Sequence, residues 1–288
     1  MAVEAKEKSS VRVIIHSFFV VPFLVAALGV LLFFIWSLLT YEPKGPEEFL
    51  ADVKMGGATK RWQSAYELSK QLADPDAEPV SDRFVAEMAS TYEYAVNDPN
   101  PRVRQYLLRA MGQTGHSSFV ATISNALNET DENVVADAVY ALSFYDNSDN
   151  SRVIDQMASH ASPLVRNRTA IALGEMQSAK DENSLQSLLS DSEPNVRWNA
   201  AVSLAKHGDA SGRHELLNLL DRSYFSRFEG IDRYEKEQAM MVAVKAASLL
   251  NDHEVNQALR RLSEEDENLK LRDMARRALS PKERFDAS

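Results

Sequence analysis

Cysteine is absent from this sequence, which excludes disulfides, thiolate nucleophiles and cysteine-based zinc sites. The short patterns that mark common catalytic sites are missing too: the chain has no nucleophile elbow, no phosphate-cradling glycine loop and no His-Glu-x-x-His pair. Positive charge is in deficit. Lysine and arginine number 32 against 42 acidic residues, a net charge of −10, whereas neutralising nucleic-acid phosphates takes clustered cations. His160, His207, His214 and His253 are scattered without ligand spacing, and the calcium-like stretch from Asp146 to Met157 has Ser151 where a turn glycine belongs and Met157 where a bidentate glutamate is needed. Metal sites, cofactors, nucleic acid and an enzymatic role are therefore not expected.

Apolar residues are plentiful. At 44% hydrophobic and 26% charged over 288 residues, the chain can bury a sizeable core, and disorder is not the default reading. One run stands apart: the 24 residues from Ser17 to Thr40 carry no charge, and as a helix they reach about 36 Å, enough for roughly 30 Å of hydrocarbon. The run exceeds the apolar stretch of a cleaved signal peptide, which predicts a retained membrane span over residues 13–40, after a tail 1–12 and before a linker 41–46. Lys6, Lys8 and Arg12 precede the run while only Lys44 follows it before Lys54, so the positive-inside rule places the N-terminus in the cytoplasm.

Beyond the linker one pattern recurs. The stretches beginning at Lys60, Val103, Val134, Val165, Val196, Met241 and Leu271 share an apolar-Arg-x-x-small-x-x-small-Leu spacing, with successive steps of 43, 31, 31, 31, 45 and 30 residues. A fixed period in this range is the signature of a solenoid. Shorter apolar patterns precede these helices, as at Phe119, Arg152, Ser184, Glu215 and Val255, and breakers such as Asn97–Pro101 and Asp191–Pro194 separate the units. Each unit reads as a helical hairpin that cannot bury its apolar face alone. The prediction is an all-α, right-handed superhelix of about seven hairpins over residues 47–280, with a tail 281–288.

From Glu47 to Ser280 the sequence resembles the HEAT-repeat superfamily, in particular the short repeats of phycobilisome lyases; the resemblance rests on Asp98–Gly112, Ser162–Gly174 and Asp191–Ala205. It implies a ladder of Asp and Arg bridging neighbouring units, whose matching positions are Asp98 with Arg104, Asp191 with Arg197 and Asp266 with Arg272. Arg61 and Arg166 keep only the arginine and Val135 and Val242 replace it, so interruptions are expected. Superfamily members include scaffolds, adaptors and a few enzymes, so the fold alone does not assign an activity.

The long step after Val196 contains Tyr224, Phe225, Phe228 and Tyr234 amid charge, which suits a partner-binding loop; the alternative is that the rings tuck back onto the solenoid. Trp62 and Trp198 share a repeat position held elsewhere by Gln105, Ala136, Asn167, Ala243 and Asp273. They either flank a binding surface or cover hairpin edges. The expected protein is a single-pass bacterial inner-membrane scaffold with a periplasmic solenoid, an accessory subunit of a membrane complex such as an ABC-type permease. The alternatives are a lyase-like, cofactor-handling protein and a tether acting through Ala26, Ala27 and Gly29 of its span.

Overall fold

The computed structural model describes residues 16–39, 44–179 and 183–280 and divides into two units, 1–45 and 46–288. Both predicted tails, the start and the last residue of the predicted span and the first half of the linker lie outside the described residues. In the first unit a π-helical turn, His16–Val20, leads into α1, Val21–Leu39. Phe18–Leu39 is long and apolar enough to cross a membrane, a test that a signal sequence also passes.

The second unit is helical, with no strand among the described residues. Seven hairpins follow one another: α2 (Pro46–Met55) with α3 (Ala58–Leu72), α4 (Asp82–Ala95) with α5 (Pro101–Thr114), α6 (Val120–Ala126) with α7 (Glu132–Leu142), α8 (Ser148–Gln156) with α9 (Pro163–Glu175), α10 (Ser184–Leu188) with α11 (Pro194–Lys206), α12 (Arg213–Leu219) with α13 (Arg233–Ala247), and α14 (His253–Glu265) with α15 (Leu269–Leu279). The odd-numbered helices stack one on the next from α3 to α15, and the even-numbered ones pack beside them as a second layer.

Local chemistry sets where these helices begin. Pro101, Pro163 and Pro194 occupy first-turn positions, where a missing N–H costs no helix bond. The side chains of Ser81, Asn100, Asp131, Asn147, Asp252 and Asn268 accept from the first free amides of α4, α5, α7, α8, α14 and α15. Asp232 and Glu235 close a capping box on α13.

Burial follows one register. In α5, α7, α9 and α11 the positions four, five, seven and eight residues beyond Val103, Val134, Val165 and Val196 are all buried. Two glycines permit the close stacking: a Cβ on Gly112 would come within 2.8 Å of the Ala141 Cα, and one on Gly174 within 2.9 Å of the Ser203 Cα. In α13 the same set is Ala243, Val244, Ala246 and Ala247, which places the start of that unit at Ala239. The expected start at Met241 is thus two residues late. Met240, fully buried, takes the position assigned to Val242, and Val242 is 47% exposed. One core cluster runs from Leu50 to Leu204 and a second from Leu219 to Ala278, and between them a smaller cluster of Ala201, Val202, Ala205, Leu216, Ala246 and Leu250 joins α11 to α12 and α13, where a long insertion enters.

The arginine ladder exists. Arg61 pairs with Asp98 at 2.6 Å, Arg104 with Glu129 at 2.8 Å, Arg166 with Asp191 at 2.6 Å, Arg197 with Glu215 at 3.4 Å and Arg222 with Asp266 at 2.8 Å. Each arginine reaches the acid of the following unit, so the rungs bridge neighbouring units as the resemblance implied, and Arg61 and Arg166, where interruptions are expected from the sequence, take part. Locally, one carboxylate oxygen of Asp98, Asp191 and Asp266 accepts the amide two residues on, from Asn100, Glu193 and Asn268. The arginine of the preceding unit takes the other oxygen of Asp98 and both oxygens of Asp191 and Asp266. Towards its own loop the arginine meets carbonyls: Arg104 donates to Asp98 O at 3.0 Å and Arg197 to Asp191 O at 2.7 Å. The Nε of Arg272 is buried and has no hydrogen-bond partner among the described residues.

Candidate partner-binding face

The register that buries four positions per odd-numbered helix leaves another set mostly outside the core, with Asp137 and Val202 buried among it. Residues three, six and ten places beyond the unit start fall within roughly 60° of one another around a helix, on the side away from the stack. In α3 these are Gln63, Tyr66 and Lys70; in α5, Tyr106, Arg109 and Gln113; in α7, Asp137, Tyr140 and, just past its end, Phe144. They continue as Arg168, Ile171 and Glu175 in α9, Asn199, Val202 and Lys206 in α11, and Val242, Lys245 and Leu249 along α13 and its end. Six units thereby contribute to one surface.

Its side chains contact one another from helix to helix. Tyr66 meets Tyr106 edge to face with ring centres 5.1 Å apart, and the Arg109 guanidinium lies 5.4 Å from the Tyr106 ring. Arg109 then forks onto Asp137, Nε donating to Oδ1 at 2.9 Å and Nη2 to Oδ2 at 3.2 Å. Gln113 donates to the Tyr140 hydroxyl at 3.2 Å, Arg168 sits 5.4 Å from the Tyr140 ring, and Tyr140 meets Phe144 at 5.0 Å. Further along, Asn199 donates to Asn167 at 2.8 Å and Lys206 pairs with Glu175. Tyr66 and Phe144 remain 39% and 42% exposed, so part of each ring faces solvent.

Asp137 is the buried acid of this surface, only 3% exposed. Burial drives its carboxyl above the usual carboxylate range, against the opposing pull of Arg109 and Arg168. Arg109 pairs with this carboxylate, and the charge of Arg168 acts on it without an ion pair. At the six sets of positions, with Arg102 one turn before Tyr106, six cations face two carboxylates, Asp137 and Glu175, and both acids are already paired. Arg102 lies 5.6 Å from the Trp62 ring, and Arg102, Arg168 and Lys245 form no ion pair among the described residues. An acidic chain therefore presents a locally basic, aromatic surface.

The residues expected to bind partners are mostly placed elsewhere. Tyr224 and Phe225 are buried, 7% and 2% exposed, and Phe228 is half-buried. With Trp198 they form one ring cluster: Trp198 lies 5.2 Å from Phe228, 5.8 Å from Phe225 and 6.2 Å from Tyr224. Trp198 Nε1 donates to the Tyr224 hydroxyl at 3.3 Å, which in turn donates to Glu215 at 3.4 Å. The cluster pins the Arg222–Arg227 3-10 turn against α11, so Tyr224 and Phe225 are packing residues. Only Tyr234, 69% exposed in the first turn of α13, stays open to a partner. Trp62 packs on the first core beside Arg102, and Trp198 on the second; each tryptophan covers its own edge of the array. Asp146, the start of the calcium-like stretch, accepts the amides of Gln177 and Ser178 at 2.9 and 3.1 Å and so clips two units together.

Two adjoining clefts of about 360 and 590 Å³ lie between α11 and α13, with Asn199, Val202 and Val242 in the walls of both. Trp198, Ile231 and Ala239 close one end, and Ile171, Lys206, Lys245 and Leu249 the other.

Among protein families, a model described as HEAT repeats matches residues 89–155 and 150–227. Comparison with curated proteins finds no match. Among solved structures, the chain is similar to the complex of CpcE and CpcF of phycocyanin lyase from Nostoc sp. PCC7120, at 17% identity and a TM-score of 0.51 over 84% of this chain and 97% of that one. It is also similar to the archaeal HEAT-like repeats protein from Thermococcus onnurineus NA1, at 14% identity and a TM-score of 0.42 over 83% and 97% of the two chains. Residues 89–227 are thus HEAT repeats, and the fold is that of a HEAT-like repeat solenoid.

Proposed function

We propose that this protein is a membrane-anchored adaptor that docks a protein partner on the exposed face of its odd-numbered helices. The carrying observation is the run of half-exposed rings and guanidinium groups from Tyr66 to Phe144, the residue types that dominate binding energy at protein interfaces. Their mutual contacts hold the rings in place before a partner arrives, which lowers the ordering cost of binding. The apolar helix Phe18–Leu39 supplies the anchor, and confinement to a membrane raises the effective concentration near a membrane partner. The setting is the bacterial inner membrane, with the solenoid on the periplasmic side and a membrane complex, for example an ABC-type permease, as partner. The role is non-catalytic.

The test is co-purification from native membranes of the full chain and of a variant carrying Tyr66→Ser, Tyr140→Ser and Phe144→Ser, with helicity checked by circular dichroism. A folded variant that loses its partner supports the reading. A folded variant that retains it at wild-type yield refutes it.

A further inference from the structure

Along the ladder, arginine and acid are present together or absent together. Asp98, Glu129, Asp191 and Asp266 each stand five residues before the start of their unit, and each pairs with an arginine of the unit before. Between α7 and α9, Val135 holds the arginine position and His160 the acid position, so both members of that rung are missing. Where the insertion displaces them, Glu215 and Arg222 take over, at 3.4 Å from Arg197 and 2.8 Å from Asp266. Arg272 alone breaks this rule: its Nε is buried without a hydrogen-bond partner, and it forms no ion pair among the described residues. A buried donor of this kind calls for an acceptor.

The side of α15 that carries Arg272 is also basic. Five residues beyond the unit start, the stacked helices bury Leu108, Val139, Ala170, Ala201 and Val244; α15 has Arg276 there, exposed, one turn from Arg272 and without an ion pair among the described residues. Leu269, 74% exposed, lies two turns before Arg276. A further apolar helix stacked on this side would bury the Arg276 charge, so the surface suits a polar occupant that brings carboxylates. The first unit of a second copy does not supply one: the acid position before Lys60 is Met55, and the nearby Asp52 is paired with Lys60.

We propose that the α15 end of the solenoid is a second docking surface, which takes an acidic loop of a protein partner, one carboxylate completing the rung at Arg272 and a neighbouring one meeting Arg276. This goes beyond the docking face above and does not rest on it. In a chain of net charge −10, a local group of cations also selects where an acidic loop lands.

Benzoylphenylalanine at Leu269 of the full chain, photolysed in native membranes with the crosslinked peptides sequenced by mass spectrometry, tests this. The expected adduct joins a loop of another protein that carries Asp or Glu. Arg272→Glu with Arg276→Glu should lower its yield about tenfold at unchanged helicity, and changing the acids of that loop to lysine should restore it, while Arg83→Glu, exposed on the other layer, leaves it unchanged. No adduct, an adduct whose loop has no acid, indifference to the charge reversal, or a loss that the swapped acids do not restore would overturn the inference. So would adducts to lipid, to a second copy, or to residues 281–288 of the same chain, which assign the rung to a membrane surface, to self-association or to the chain's own Glu283 and Asp286. The Tyr66, Tyr140 and Phe144 variant tests the docking face separately, so failure at Leu269 leaves that reading standing.

Discussion

Asp191→Asn is the sharpest probe of how the units are held together. Asp191 takes two guanidinium hydrogen bonds from Arg166, at 2.6 and 2.9 Å, with the carboxylate side chain 6% and the guanidinium side chain 15% exposed. Hydrogen bonds to charged groups contribute about 1.5–3 kcal/mol, and removing one member of a fully buried pair costs about 3–5 kcal/mol. This pair sits near the rim, and Arg166 keeps the carbonyls of His160 and Ala161 at 3.0 Å, so the expected cost is about 2 kcal/mol. Asparagine retains an acceptor for the Glu193 amide, which isolates the pair from the turn. For an array of this size the loss corresponds to about 4–8 °C in melting temperature. The pH dependence has a definite sign. Hydrogen bonds from Arg166 hold the Asp191 carboxyl below the usual carboxylate range, so its contribution is complete above the unfolded value near 4 and fades as pH falls through the lower folded value. Urea titrations of the full chain in mild detergent, followed by circular dichroism at neutral and acid pH, measure both. A cost below about 0.5 kcal/mol, or the same cost in an Arg166→Met background, would refute the inter-unit ladder.

Two further predictions follow from burial. Phe225→Ala should destabilise the chain by about 3 kcal/mol as a fully packed ring, whereas Tyr234→Ala should be close to neutral; matched urea midpoints check both, and equal effects would contradict the placement of the aromatic segment. Asp137, whose carboxyl lies above the ordinary range, contributes most below its unfolded pKa and loses that contribution as pH rises through the folded one. Wild type should therefore lose stability relative to Asp137→Asn as pH is raised from mildly acid to neutral, and a pH-independent difference between them would show that the carboxyl titrates normally.

Much of the solenoid was legible because its determinants are local and repeated: prolines at first turns, Asn, Asp and Ser caps, and the small and apolar residues that every stacked helix needs. The register of α13 was not, since Ala243, Ala246 and Ala247 satisfy a small-residue pattern in more than one frame, and only burial of Met240 decides between frames. The ladder was legible in its residues and its bridging of units but not in its continuity, because Glu129, Glu215 and Arg222 lie outside the matching positions. The open face escaped a search for recurring residues for a plain reason. Its six-place positions read Tyr66, Arg109, Tyr140, Ile171, Val202 and Lys245, and a surface shaped by a partner has no need of a consensus, although its spacing was present in the sequence. The aromatic segment misled because four rings near charge look alike whether they face a partner or, as Tyr224 and Phe225 do, a tryptophan on the next helix.

The claim that the odd-numbered helices form the docking face is tested most directly by site-specific photo-crosslinking in native membranes, with benzoylphenylalanine at Phe144 on that face and at Tyr94, 51% exposed on α4 of the other layer. The account predicts a discrete membrane-protein adduct from position 144, lost when Tyr66 and Tyr140 are changed to serine, and none from position 94. Adducts of equal yield from both positions, or none from 144 while exchange of the apolar helix abolishes complex formation, would contradict it and assign the interaction to the other layer or to the span.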